Sequence, residues 1–407
     1  MSSTYKTRYE NKSSLRIFGV LAIFFLVALS IIQIMPVIRE FYSFSRLLLY
    51  FGFGILALIS FFNFKKLKTN FVIKLFLINA ILVLAFVIIS FLNLGNNITF
   101  EFVELVVPLG ILITSMRIQL SIKEIKMLMG LYVLLALLLG IMSVYYYGEG
   151  FRLLSTYFLL GKNQIGPILG IAAVIAFHHF AFESNFNSNK DKILAFLSIA
   201  SFIILFSLIV LILNRTGMFA LIIVAPLMLL KKEYKVLKYK LVIVYSLFFA
   251  MLPVIFYFAY ISQLHIAILT ALGRGSGFVD LNQFTAGRIS EYLDAFNFLL
   301  ENPFFGGLAE LNKMYGVPHN YILNKWFQFG FIFSLPLILM YCYFWKISLS
   351  KTILSKKSFG LDRVVYWILL FSMIVSLAEY SYPYGPGSSQ IMLWFLLGQK
   401  LTIIQNH

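Results

Sequence analysis

Residues 193–224 read ILAFLSIASFIILFSLIVLILNRTGMFALIIV, thirty-two positions carrying a single charge, Arg215. An α-helix rises about 1.5 Å per residue, so roughly 20 apolar residues cross a hydrocarbon layer about 30 Å thick. The two sides of Asn214 therefore predict a pair of membrane helices meeting at a polar turn, or one reentrant hairpin. Either way the fold class is all-α and membrane-embedded.

Similar apolar runs recur outward from this pair, twelve in all, near 15–35, 46–63, 71–94, 102–116, 126–147, 164–182, 192–213, 217–230, 241–262, 320–345, 364–380 and 388–404. A chain of 407 residues that is 61% hydrophobic and 12% charged, with mean hydropathy +0.90, has no water-soluble surface to offer. The expected architecture is a polytopic membrane protein with about 12 transmembrane helices: spans 1–9 in residues 1–262, a large external loop in 263–318, and spans 10–12 in 319–407. The first run follows a basic segment, as a signal sequence would. Its length and the lack of an A-x-A-like cleavage site make it a membrane anchor.

A net charge of +17 raises the question of nucleic acid, but the placement of the cations answers it. If the amino terminus is cytoplasmic, 24 of the 33 Lys and Arg residues fall on the cytoplasmic side, in clusters such as Lys65–Lys68, Lys231–Lys240 and Lys346–Arg363. That bias is the positive-inside pattern, and it puts both termini in the cytoplasm. No glycine-rich phosphate loop and no dinucleotide fingerprint is present. No His/Cys/Asp/Glu set has metal-ligand spacing, and no cofactor is expected. The lone Cys342 excludes an intrachain disulfide.

The long loop holds TAGRISEYLDAFNFLLENPFFGG, residues 285–307, and runs into PHNYILNKWFQFG, residues 318–330. Thr285 is suited to cap a helix over about 286–301, which Asn302-Pro303 would stop. Ile289, Tyr292, Leu293, Phe296, Leu299 and Leu300 give it an apolar face for the bilayer or for neighbouring spans. Arg288 lies in its first turn, where free N–H groups and a guanidinium together suit a phosphate or pyrophosphate. Glu291 and Asp294 share a helix face, positioned to pair with Arg288 or Lys313 or to face water.

Arg215 at membrane depth costs a few kcal/mol and needs a partner; it is either a snorkelling residue at the interface or a ligand for an anion. Arg215→Lys separates these, since Lys snorkels equally well but lacks the bidentate fork. His319 stands where the loop re-enters the membrane, and imidazole is the side chain suited to proton transfer near neutrality. The alternative is a hydrogen-bonded interfacial His, and His178 and His179 are read that way at the end of the sixth span. Arg274 in LGRGSG can reach a phosphate or sugar. The GKNQIG turn opening the sixth span presents Lys162 and Asn163 to a glycan, or serves as a polar cap. Asn320 and Tyr321 complete the candidate substrate-binding set. Tyr145–Tyr147 and Tyr380, Tyr382 and Tyr384 are placed to stack on sugar rings.

On these residues the chain resembles the bacterial O-antigen ligase and polymerase superfamily. The matching motifs are Asn214-Arg215-Thr216-Gly217 opening a span, Gly287-Arg288 through Pro303, Phe304 and Gly306, and His319-Asn320 with Leu323 and Gly330. They cover about the last half of the chain; the first half is similar in hydropathy only. The resemblance implies a GT-C-like fold in the bacterial inner membrane with its active site on the periplasmic or external face. It implies metal-independent, inverting transfer from an undecaprenyl-pyrophosphate-linked glycan, with a chain-length regulator as a possible partner. Arg215 and Arg288 would hold the pyrophosphate, and His319 would take the proton from the acceptor hydroxyl. Many relatives carry Glu near Gln328, which leaves carboxylate help to His319 unassigned.

Polymerase and ligase differ in acceptor, another lipid-linked repeat or a lipid A core. The 31-residue separation of Arg288 and His319 is compact and favours polymerase. A lipid-linked oligosaccharide flippase also fits a dozen spans with membrane Arg residues, although the chain lacks the paired halves usual in transporters.

Overall fold

The computed structural model describes residues 14–62, 99–147, 156–183, 188–212, 214–230, 288–304, 318–351, 361–380, 382–383 and 388–405, with isolated positions between 74 and 88. Within them the chain forms α1 (Ser14–Ile32), a 3₁₀ turn (Pro36–Phe41), α2 (Tyr42–Phe62), α3 (Thr99–Arg117), α4 (Ile122–Tyr147) and α5 (Thr156–His178). A π-helical turn (His179–Glu183) continues α5, and α6 (Asn189–Leu211), α7 (Arg215–Leu230), α8 (Arg288–Glu301), α9 (Tyr321–Leu349), α10 (Leu361–Val375) and α11 (Ser388–Gln405) follow. Among the described residues there is helix and no strand.

Four helices are long and apolar enough to cross a membrane: Ile122–Tyr146, Asn163–Glu183, Asn189–Leu211 and Tyr321–Leu349. Arg16–Ile32, Tyr42–Leu58, Arg215–Leu229 and Arg363–Val375 are apolar but shorter. The described residues thus carry four such helices where hydropathy counts twelve runs. The run near 364–380 stops being helical at Val375, because the backbone from Ser376 to Ala378 folds into turns. The run near 241–262 lies outside the described residues.

α5 is the hub, buried from Ile165 to Phe177 and packed against α4, α6, α7, α10 and α11. Its small residues make this possible, since membrane helices gain contact by close backbone approach rather than by expelling water. A Cβ at Gly170 would sit 2.1 Å from Cζ of Phe371 on α10, and one at Gly140 of α4 would sit 2.7 Å from Leu208 of α6. α11 is buried all round and is tied to the end of α3 by one amide. Gln399 Oε1 accepts from Leu120 N at 2.9 Å, and its Nε2 donates to Ser115 O at 2.6 Å and Ile118 O at 2.7 Å.

The outward faces carry stripes that water would not tolerate and lipid does: Phe18, Leu21 and Phe25 on α1, Leu134, Leu138 and Ile141 on α4, Ile193, Phe196 and Leu197 on α6.

One reading of local sequence is corrected. The GKNQIG stretch is not a turn, because α5 begins at Thr156 and runs through it. At the far end of α5, His178 is buried, 4.0 Å from Glu183, and His179 Nδ1 meets Ser198 Oγ at 2.9 Å.

Candidate functional site

The starts of α7, α8 and α9 and the turn after α10 converge at one end of the bundle. Past Val375 the backbone closes short turns, with Leu377 N on Ile374 O and Ala378 N on Val375 O. This turn is stitched to its neighbours. Tyr321 N donates to Ser376 O at 3.0 Å, Asn320 Nδ2 to Leu377 O at 3.2 Å, and the Tyr292 hydroxyl to the same carbonyl at 3.3 Å. The turn carries Glu379 inward to 3% exposure.

Glu379 Oε1 accepts from Arg288 Nη2 at 3.4 Å and from Thr216 Oγ1 at 3.3 Å. One carboxylate thus joins the loop helix to the start of α7. Burial pushes its carboxyl above the ordinary glutamate range, and the charges of Arg288 and His319 and the bonds from Thr216 and Arg288 pull the other way. The guanidinium of Arg288 and the hydroxyl of Thr216 offset part of the cost of burying this carboxylate.

Asn214 sets α7 in place. Its Oδ1 accepts from Gly217 N at 2.7 Å, the bond of an N-cap. The amide is buried against α5, where a Cβ at Gly166 would lie 2.1 Å from its Cγ, so only glycine leaves it room. The Asn-Arg-Thr-Gly motif therefore decomposes into a cap, an exposed guanidinium at the first helical position, the Thr216 ligand of Glu379 and a small residue over the cap.

His319 Nδ1 lies 2.8 Å from Glu291 Oε2. A carboxylate only accepts, so Nδ1 carries the hydrogen and Nε2 of the neutral ring is left as acceptor. The ring edge meets Tyr380, with centroids 5.9 Å apart. Glu291 sits one turn after Arg288 on α8, so a single helix delivers the carboxylate for His319 and the guanidinium for Glu379. The reading of Glu291 as a water-facing acid is thereby replaced; Asp294, on the same helix, is exposed.

α8 is docked by backbone. Within α9, Gly330 has φ 71° and ψ 170°, which breaks the helical hydrogen bonding. The freed N–H groups of Phe331 and Ile332 donate to Pro303 O at 3.0 Å and Phe304 O at 3.4 Å, just past the end of α8, and Trp326 Nε1 joins Pro303 O at 3.0 Å. The Pro-Phe pair and the glycine eleven residues after His319 are two halves of one clamp.

Of the residues singled out by sequence, Arg288 and His319 are brought into one cluster through Glu379 and Glu291, and Arg215 stands exposed beside Thr216 at its margin. Asn320 is committed to the fold at both ends of its amide, accepting from Leu323 N at 3.1 Å as the α9 cap and donating to Leu377 O. Tyr321 is not at the surface of the site but fully buried, stacked on Tyr341 at 5.9 Å. Lys162 and the half-buried Asn163 lie within α5. Tyr382 is buried and so closed to a sugar ring, while Tyr145, Tyr146 and Tyr380 are exposed. Gln328 accepts from the buried Lys325 at 3.1 Å. Arg274 and Tyr384 lie outside the described residues.

The opposite end of the bundle is marked by pairs of basic and acidic groups, Arg16 with Glu124 at 2.8 Å and Lys126 with Glu183 at 2.7 Å. The buried Arg363 also lies there, its guanidinium carbon 5.7 Å from the Phe182 ring. The twelve helical steps of α5 from Gly166 to His178 separate the two ends by about 18 Å. No protein-family model matches the chain, and no curated protein matches it in sequence.

Proposed function

We propose that this protein is a polymerase that joins undecaprenyl-pyrophosphate-linked oligosaccharide repeat units into a surface polysaccharide, an O-antigen or a capsule, by inverting, metal-independent glycosyl transfer. What supports the reading is one juxtaposition: an imidazole oriented by Glu291 beside a guanidinium held by a buried Glu379. These are the two functions that the reaction needs, a base for a hydroxyl and a cation for a departing pyrophosphate.

In the proposed step the acceptor sugar hydroxyl attacks the anomeric carbon of the donor from the face opposite the pyrophosphate. The bond from that carbon to the pyrophosphate oxygen breaks, and the oxygen keeps both electrons. His319 Nε2 takes the hydroxyl proton. Arg288, with Arg215, stabilises the negative charge that grows on the leaving group.

The finer topology belongs to the same proposal. Twelve spans with cytoplasmic termini put the basic end of the bundle inside. The cluster, about 18 Å away along α5, then opens to the outer leaflet, where lipid-linked repeats are presented.

The test is the purified protein in liposomes with the cell's own lipid-linked repeat units. A ladder of longer lipid-linked chains is expected. Transfer to a lipid A core instead would make the protein a ligase, and lipid crossing without elongation would make it a transporter.

A further inference from the structure

Glu379 touches Arg288 by a long contact, 3.4 Å, where an established charge-assisted N–H···O bond measures about 2.7–2.9 Å. The Arg288 side chain is 25% exposed, and the one nitrogen in contact with the buried carboxylate is Nη2. A guanidinium has five N–H donors and one charge. It has donors enough for two anions, but not charge enough to neutralise a carboxylate and a pyrophosphate together.

We infer that Glu379 is the resident counter-ion of Arg288, that a prenyl pyrophosphate arriving at Arg288 takes its place, and that Glu379 binds one proton from solvent as it is displaced. This rests on the reading of the cluster as a pyrophosphate site. Glu379 is a positioning residue here: it holds the fork while the site is empty and leaves it by becoming neutral.

The groups facing Glu379 agree with that exchange. Among the described residues they are Arg288 and Tyr292 from α8, Thr216 from α7, His319 ahead of α9, and Tyr382. His319 is itself paired with Glu291. Once Arg288 is shared with a pyrophosphate, added negative charge in a dry setting makes the carboxyl form the cheaper one. The Thr216 hydroxyl suits both states, since it donates to a carboxylate and accepts from a carboxylic acid by rotating.

The consequence is proton-linked binding. Calorimetry on the full-length protein in detergent, with farnesyl pyrophosphate as the probe, is run across pH in two buffers of different ionisation heat. Net of the probe's own ionisation, wild type should take up about one proton per ligand, and its Kd should weaken by up to tenfold per pH unit above the carboxyl's titration. E379Q should lack both that proton and that slope.

Equal proton counts in wild type and E379Q overturn the inference. If E379Q does not fold, wild type alone decides, and binding without proton uptake at any pH, or no binding, overturns it. Elongation is assayed on the same preparations. Glu379-dependent uptake without elongation would sink the polymerase and keep the counter-ion, whereas elongation with identical proton counts would do the reverse.

Discussion

His319 has one ring nitrogen committed to Glu291, and from that commitment two substitutions differ in kind. On the proposed mechanism His319→Ala removes the base and should lower elongation by about 10²-fold or more while the protein still elutes as a folded monodisperse species. Glu291→Gln keeps the size of the side chain but presents an N–H as readily as an oxygen, which allows the wrong tautomer. It should lower kcat far more than it raises KM, and an unchanged kcat would remove Glu291 from the mechanism. Arg288→Lys keeps the charge and loses the fork, so KM for donor and kcat should both suffer. Glu379 adds a stability signature. Burial raises its carboxyl above the ordinary glutamate range, so between the ordinary and raised values the folded chain holds a proton that the unfolded chain lacks. Stability therefore declines as pH rises through that window. Glu379→Gln should flatten the decline in a melting series across pH and make the variant the more heat-resistant protein above the window. Arg288 and His319 were legible in the sequence because charged or titratable groups are rare in so apolar a chain. Glu379 was hidden by the opposite logic. Hydropathy absorbed it into the run near 364–380, although Asp362 and Glu379 are the only acids beyond Glu310 and a lone carboxylate in a membrane-length run marks a functional position.

Helices fix this site by their ends rather than their faces. α7 begins where Asn214 caps it, and the cap fits because position 166 is glycine. Gly166→Ala places a methyl into Asn214 and should cost about 1–3 kcal/mol of stability. It should also disturb Thr216 and Glu379, and so, on the proposed function, lower elongation with Arg288 and His319 both intact. A melting temperature equal to wild type would show that the amide relocates freely. The loop helix was legible as an element, from its helical spacing and its Asn-Pro stop. Its orientation was not legible. Of the apolar residues read as one face, Leu299 is buried with Ala295, whereas Leu293, Phe296 and Leu300 are exposed. The periodicity alone gives no choice between a lipid surface and a neighbouring helix, and only part of the apolar set packs inward. Glu291 was ambiguous for a related reason: its spacing from Arg288 was visible, but its partner 28 positions away was not.

At the scale of the whole molecule, the ion pairs Arg16–Glu124 and Lys126–Glu183 and the cluster around Glu379 lie toward opposite ends of one bundle, and the proposed orientation is tested by labelling. Cys342 is the only cysteine, so single-cysteine labelling is simple. In a Cys342→Ser background, Asn302→Cys should react with a membrane-impermeant thiol reagent applied to intact spheroplasts, and Lys190→Cys only after permeabilisation. The reverse pattern would invert the orientation. The membrane class was legible from composition, because no arrangement of 61% hydrophobic residues hides them all from water. The helix inventory was less so, since hydropathy does not register where a backbone turns, as it does after Val375. The break at Gly330 has an evolutionary corollary. Its partners are main-chain carbonyls at positions 303 and 304, which every amino acid possesses, so alanine scanning of that pair will pass over the attachment. Sequence drift there is nearly free, and covariation between the two segments should be faint even though they depend on each other. The dependence surfaces at Gly330 and at the indole of Trp326: Gly330→Ala, forced into a dihedral that a side chain resists at a cost of about 1–3 kcal/mol, should loosen the loop helix and, on the proposed function, lower elongation from a position outside the Arg288–His319 cluster.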